Sequence, residues 1–206
     1  MKIPTPNQFE KGYLAFQRHE GRDSMYRTAT FLVEHFWGKP QEMADSLGVL
    51  LLTWNQALYR YGIFDFDKLE ECISSNMRLL EKYRKSNILD YLLDDDRNIK
   101  HLFSECCSAL RICAGSKKGT KSPVAVAKAL HLLAPNFFPL WDYKIAKAYG
   151  YSYSYNPEEK YLLFLQQTKG MVEGLGSSVN SKALRKKTLL KLIDEYNYAR
   201  YTKNWV

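Results

Sequence analysis

Gly115-Ser116-Lys117-Lys118-Gly119-Thr120-Lys121-Ser122-Pro123-Val124-Ala125-Val126-Ala127-Lys128-Ala129-Leu130-His131-Leu132-Leu133-Ala134-Pro135 is the stretch from which the rest of the sequence is read. Its first part, with two glycines and three lysines before Ser122, forms a small basic loop. The Ser122 hydroxyl can accept a bond from an amide of the next turn, and Pro123 has the fixed φ that suits the first helical position. A run of helix formers follows, with Val126, Leu130 and Leu133 on one face and Lys128 and His131, three apart, on another. Pro135 ends it, because the residue before a proline is driven out of helical backbone.

The same grammar of caps and stops runs outward in both directions. Downstream, Asn136 to Trp141 is an apolar loop, and Asp142 caps a helix to about Tyr149. Asn156-Pro157-Glu158-Glu159 starts another to about Thr168, Gly170 to Ser178 is a loop, and a last helix runs from Ser181 to about Tyr201. Upstream, a short segment spans Phe9 to Arg18, and a helix from Ser24 carries Tyr26, Thr30, Val33 and Trp37 before Gly38. Pro40 opens a long helix to about Tyr61, apolar on every side around Leu47 to Leu52. Asp65 caps Phe66 to Ile73, a further piece covers Met77 to Lys85, and the acidic start at Asp94 leads a helix to Cys113 closed by Ala114-Gly115. No sustained period-two alternation of β-branched residues occurs, so a sheet is not expected. The reading is all-α: one compact domain over residues 1–206, with about nine or ten helices, in which 1–39 and 151–206 pack onto a central 40–150 region.

The 206 residues are 46% hydrophobic, which suffices for a continuous core, and no stretch approaches the roughly 18 apolar residues of a membrane span. Met1-Lys2-Ile3-Pro4-Thr5-Pro6 has no apolar signal segment behind its charge, which points to the cytoplasm, or the nucleoid for a DNA-binding chain. Cys72, Cys106, Cys107 and Cys113 lack metal-site spacing and read as buried free thiols. The formal charge is +8 and unevenly spread. Residues 42–96 hold eleven Asp/Glu against six Lys/Arg, net −5, whereas 117–147 are net +5 and the segment from Gly170 adds +4. Two separated basic stretches can form one surface for an anionic partner.

Basic loop, helix, apolar loop and Asp-led helix together resemble the helix-hairpin-helix (HhH-GPD) DNA glycosylase superfamily of base-excision repair. The matching residues are Gly119-Thr120-Lys121 followed by Ala125, Ala127 and Leu130, then Pro139-Leu140-Trp141-Asp142 with Ile145, Ala146 and Lys147 behind. Leu50 to Ala57, with Thr53-Trp54-Asn55-Gln56, resembles the family's early buried helix. The chain departs from the family in its hairpin, which lacks Leu-Pro-Gly-x-Gly and is interrupted by Ser122-Pro123.

That resemblance implies a monomeric, cofactor-free enzyme on damaged double-stranded DNA: a glycosylase, with AP-lyase activity if a lysine attacks the sugar. It assigns Asp142 as the carboxylate that stabilises charge on the sugar or activates water, and Lys121, or alternatively Lys128, as the amine. It places Lys117, Lys118, Gly119, Thr120, Ser122, Lys144 and Lys147 on DNA, and Trp54, Asn55, Gln56 and Trp141 around a flipped base. Tyr149, Tyr151, Tyr153 and Tyr155 are candidates to stack on bases or wedge into a duplex.

Each residue also has a simpler reading. Asp142 can be a helix cap alone, the lysines exposed phosphate contacts or solubilising charges, the glycine loop ordinary, and the aromatic residues core packing. Two functions of another class therefore stand beside the enzyme: a catalytically silent DNA-binding protein, using Lys117, Lys118, Lys121 and the basic segment from Ser181 to Lys191, and a helical protein-interaction module. No Ser/His/Asp elbow, metal-ligand spacing or glycine-rich nucleotide motif is present.

Overall fold

Helices start where a side-chain cap or a proline meets the first orphan amides. A computed structural model describes residues 3–20, 23–176 and 187–206. Helix α1 (Pro6–His19) opens on a reciprocal pair, with Thr5 Oγ1 accepting from Gln8 N at 3.3 Å and Gln8 Oε1 accepting from Thr5 N at 3.0 Å. Then come α2 (Ser24–His35), α3 (Pro40–Trp54), the single turn α4 (Gln56–Tyr59) and β1 (Gly62–Ile63). The acidic region supplies α5 (Phe66–Lys85), two 3₁₀ turns (Ile88–Asp90 and Leu93–Asp95) and α6 (Asp96–Ala109). After β2 (Ala114–Gly115) follow α7 (Pro123–Leu133), α8 (Tyr143–Ala148), α9 (Pro157–Leu175), α10 (Leu189–Asn197) and a π-helical turn over Tyr198–Thr202. The described structure is mostly helical, as the cap-and-stop reading predicts.

Where helices differ from expectation, side-chain chemistry gives the reason. The helix expected from Pro40 to Tyr61 breaks at Asn55, leaving the Trp54 carbonyl to accept from Lys128 Nζ at 3.0 Å. The two pieces expected over 66–85 are one helix, because Asn76 turns its amide back onto the Cys72 carbonyl at 2.9 Å and stays within the helix. Helix α9 runs through Gly170 to Leu175, where buried Met171, Val172 and Leu175 continue its apolar stripe and outweigh the glycine. The remainder of the expected 170–178 loop and the start of the expected last helix, 177–186, lie outside the described residues.

A sheet was not expected, yet Gly62 pairs with Gly115 and Ile63 with Ala114 in a two-residue antiparallel ladder. Two residues are too few to leave an alternating pattern. Glycine is required on both sides: Gly115 has φ +93°, and a β-carbon on Gly62 would overlap the Ala114 carbonyl.

The core is a single cluster. Helix α3 packs on α2 and α5, α6 lies against α5, α7 and α9, and α1 crosses α10. Helix α7 is buried along almost its whole length and touches α2, α3 and α6. Cys72, Cys106 and Cys107 are buried, with the first two sulfurs 3.9 Å apart. Among the described residues no helix is long and apolar enough to cross a membrane.

Candidate functional site

Helix α7 aims Lys128 at the broken carboxyl end of α3. Its Nζ donates to Trp54 O at 3.0 Å and to Asn55 Oδ1 at 3.1 Å, and it stands 4.5 Å from the centre of the Trp54 ring. No described carboxylate lies within ion-pair distance of it. Burial therefore dominates and lowers the Lys128 amine to about 8, helped by the positive charge of Lys191 and opposed by Asp194 and Asp142.

Lys128 lines a cavity of about 560 Å³ together with Phe16, Trp54, Trp141, Asp142 and Lys191, a volume within the range of about 300–1,000 Å³ usual for ligand sites. Asp142 enters from the start of α8. Its Oδ1 accepts from Ile145 N at 2.7 Å, as a cap should, and its Oδ2 accepts from Thr202 Oγ1 at 2.7 Å. Both oxygens are engaged, yet the residue stays half-buried on the cavity wall. Trp141 is mainly core: its Nε1 donates to Pro123 O at 3.2 Å, and its ring meets Phe103, Tyr161 and Phe164.

Helix α10 also lines the cavity, through Lys191 and Asp194. Lys191, 1% exposed, reaches Asp194 at 3.0 Å, Asp23 at 3.6 Å and Glu195 at 4.0 Å, and lies over the rings of Phe16 and Tyr26. Burial pulls its proton off, but the three carboxylates reverse that and hold the amine charged, above its ordinary range. Lys187 joins the cluster through Asp23 and Glu195. One turn along α7 from Lys128, His131 is fully buried; its Nδ1–H donates to Phe138 O at 2.7 Å, which leaves Nε2 to accept from the Tyr26 hydroxyl at 3.1 Å. Burial lowers this imidazole to about 4, so it is neutral at pH 7.

The structure thus brings together Trp54, Lys128, Trp141 and Asp142 of the sequence candidates, with Asn55 behind the amine. It does not bring Lys121 to them. Lys121 is exposed in a separate groove with Lys68, Glu71, Glu105 and Arg111, apart from the Lys128 cavity, because Lys121 precedes the cap of α7 while Lys128 lies inside the helix. Gln56, past the break, is turned outward onto a second hollow beside Arg60, Tyr61 and Gly115, and not into the Trp54 cavity.

The basic loop is compact. Ile112 N donates to Thr120 O at 3.0 Å and Gly119 N to Ile112 O at 2.8 Å, with Gly119 at φ +91°. Lys117 lies 4.9 Å from the Tyr61 ring centre, Lys118 and Thr120 are exposed, and the Ser122 hydroxyl accepts from Ala125 N at 3.1 Å. Lys144 donates to Thr202 O at 3.0 Å, and Lys147 is exposed. Of the tyrosine series, Tyr149 is buried, Tyr153 packs on Trp141 with ring centres 5.3 Å apart, and Tyr155 is 81% exposed.

Sequence reasoning missed the carboxylates around Lys191, a residue it placed on DNA phosphates. The signal was there in part, since Lys191, Asp194 and Glu195 have i, i+3 and i+4 spacing on an amphipathic helix. Asp23 had none; it sits at φ +44° before α2 without capping it, which leaves its carboxylate for Lys187 and Lys191. No protein-family model, curated protein or solved structure matches this chain.

Proposed function

We propose that the chain is a divergent base-excision enzyme of the helix-hairpin-helix glycosylase type, which takes a damaged nucleotide or abasic sugar of duplex DNA into the Lys128–Asp142 cavity. The observation that carries this reading is Lys128, an amine withdrawn from water, bound only by neutral oxygens and lowered to about 8, on the same cavity as Asp142. Such an amine is partly unprotonated near neutral pH and able to act as a nucleophile. The order α6, glycine-bearing basic loop, α7, apolar loop and Asp-capped α8 supports the fold-level part of the proposal.

In this chemistry the Lys128 lone pair attacks C1′ of the sugar while the C1′–N bond breaks, and the base leaves with that electron pair and takes up the proton the amine gives up. At an abasic site the same amine adds to the aldehyde and, with one proton taken from solvent, loses the oxygen as water to give an iminium. Asp142, on the wall of the same cavity, is the carboxylate assigned to stabilising the positive charge that develops on the sugar. Trp54, which lines the same cavity with the Lys128 amine over its ring, is the aromatic residue assigned to the extruded base.

The test is borohydride trapping on a duplex with one abasic site. Wild type gives a covalent adduct, Lys128→Gln gives none, and Lys121→Gln keeps it. Absence of an adduct together with absence of base release from uracil, hypoxanthine, 8-oxoguanine and alkylated duplexes would sink the enzyme reading.

One observation favours the silent DNA-binding alternative: both Asp142 oxygens are already held, by Ile145 N and Thr202 Oγ1. Under that reading Asp142→Asn and Lys128→Gln leave salt-dependent duplex binding unchanged, and no duplex is processed. Binding that is absent at low salt counts against both readings.

A further inference from the structure

We infer that Asn55, together with the Trp54 carbonyl, is the positioning residue that aims the lone pair of Lys128. The inference rests on the proposal that Lys128 is the reacting amine. It begins from stereochemistry: an unprotonated amine on Cε has two hydrogens and one lone pair at tetrahedral directions. The Trp54 carbonyl at 3.0 Å and Asn55 Oδ1 at 3.1 Å can only accept. Both hydrogens are therefore spent on the end of α3, and the lone pair takes the one direction left, away from that end. A freely rotating amine would share its lone pair among three staggered positions.

The Asn55 amide carries a mark of this role. Its Nδ2 is buried with no hydrogen-bond partner, so its donor half is unsatisfied while its oxygen faces the amine. The flipped amide would point a donor at the charged amine, or would capture the lone pair of the neutral one. Asn55 stands at the break between α3 and α4, with φ −115° and ψ 37°, which places its side chain and the freed Trp54 carbonyl on the same amine.

The other charged groups around Lys128 do not do this. Asp142 before α8, and Asp194 and Lys191 on α10, act on it through space. Asp23 and Glu20 line the same cavity, with Asp23 bound to Lys187 and Lys191, and His131 is turned to Tyr26 and Phe138.

The experiment uses the full chain with two variants and two readouts. The first readout is NMR titration of the Lys128 Cε and Nζ signals without DNA; the second is the borohydride adduct with an abasic duplex across pH. In Asn55→Asp, a new charge beside the amine raises the Lys128 midpoint by about 1 to 3 pH units, and the alkaline rise of adduct formation moves with it. In Asn55→Leu the midpoint stays at or below the wild-type value, so at least as much free amine is present. The adduct nevertheless falls about 10- to 100-fold at a pH where both amines are neutral, the loss expected for a misaimed nucleophile. More free amine with less reaction is a result that neither altered basicity nor a purely packing role produces.

Asn55→Leu reacting like wild type at equal neutral fraction overturns the inference, as does a midpoint unmoved in Asn55→Asp. Should Asn55→Leu fail to fold, the near-isosteric Asn55→Asp decides alone by whether its two profiles move together. If wild type forms no adduct at any pH, the reading of Lys128 as the reacting amine falls, and the Asn55→Asp titration still reports separately whether Asn55 holds the amine.

Discussion

Lys128 on α7 and Lys191 on α10 line one cavity, both largely out of water, and their protons are driven in opposite directions. Lys128 is bound by two neutral oxygens and falls to about 8; Lys191 is ringed by Asp194, Asp23 and Glu195 and is held charged. Desolvation acts on both and wins only where no carboxylate answers it. A buried lysine is thus either an organising cation or an available base, and its partners decide which. Lys191 ties α10 to the segment before α2, and its charge also helps lower the Lys128 amine.

The comparison breaks most visibly on removing Lys191. Lys191→Met strands Asp23, Asp194 and Glu195 with Lys187 as their remaining described cation, and a buried partner lost in this way costs about 3–5 kcal/mol. Urea unfolding at pH 7 measures it. A loss below about 1 kcal/mol would mean that water already reaches the carboxylates.

His131 extends the comparison to a second base without a carboxylate. Its ordinary value of 6.5 falls to about 4 in the fold, so between these pH values the unfolded chain takes up the proton first. Stability from the neutral ring is complete above pH 6.5 and lost as pH falls through about 4, by roughly 3 kcal/mol. His131→Gln, which can donate to Phe138 O and accept from Tyr26, removes that part of the acid limb. Equal acid slopes in the two proteins would refute it.

Lys128→Met shows the contrast from the other side. Replacing an amine that burial disfavours by an apolar chain raises stability by about 1 kcal/mol at pH 7, while the same change at Lys191 is strongly destabilising. The folded amine loses its proton near 8 and the unfolded one near 10.5, so the wild-type penalty fades as pH rises between them, and the advantage of Lys128→Met shrinks over the same window. An advantage that grows with pH would mean that the fold raises the Lys128 amine above its ordinary value instead of lowering it.

Local signals were legible where one residue acts on its own turn. Ser122, Asp142 and Asp65 cap the helices that the sequence assigns to them, and Pro123 and Pro157 stand at first helical positions. Helix ends were harder wherever distant groups decide them. Nothing near Asn55 announces that Lys128, 73 residues on, will take its side-chain oxygen. The ladder of Gly62 and Gly115 likewise joins residues far apart in the chain, and leaves only two glycines as a trace. The sequence named Asp142, Trp54, Trp141 and Lys128 one by one, and they line one cavity. The ranking of Lys121 above Lys128 could not draw on exposure, which separates the two and depends on which face of α7 the core covers.

The smallest effect is the one that tests this ranking. Lys121 is exposed beside Lys68 and Arg111, with Glu71 and Glu105 on the same groove, and it makes no described ion pair. Lys121→Gln should therefore shift stability by no more than about 0.5 kcal/mol, the usual range for an open surface site. If the residue meets a DNA phosphate, the log–log salt slope of duplex binding falls by about 0.9, with weaker affinity at every sequence. At saturating abasic duplex that loss is masked, and the borohydride adduct should form as in wild type. Lys121 lies outside the cavity, whereas burial lowers the Lys128 amine to about 8 inside it. The reverse result, an adduct lost at saturation in Lys121→Gln and kept in Lys128→Gln, would move the chemistry out of the cavity and onto the loop.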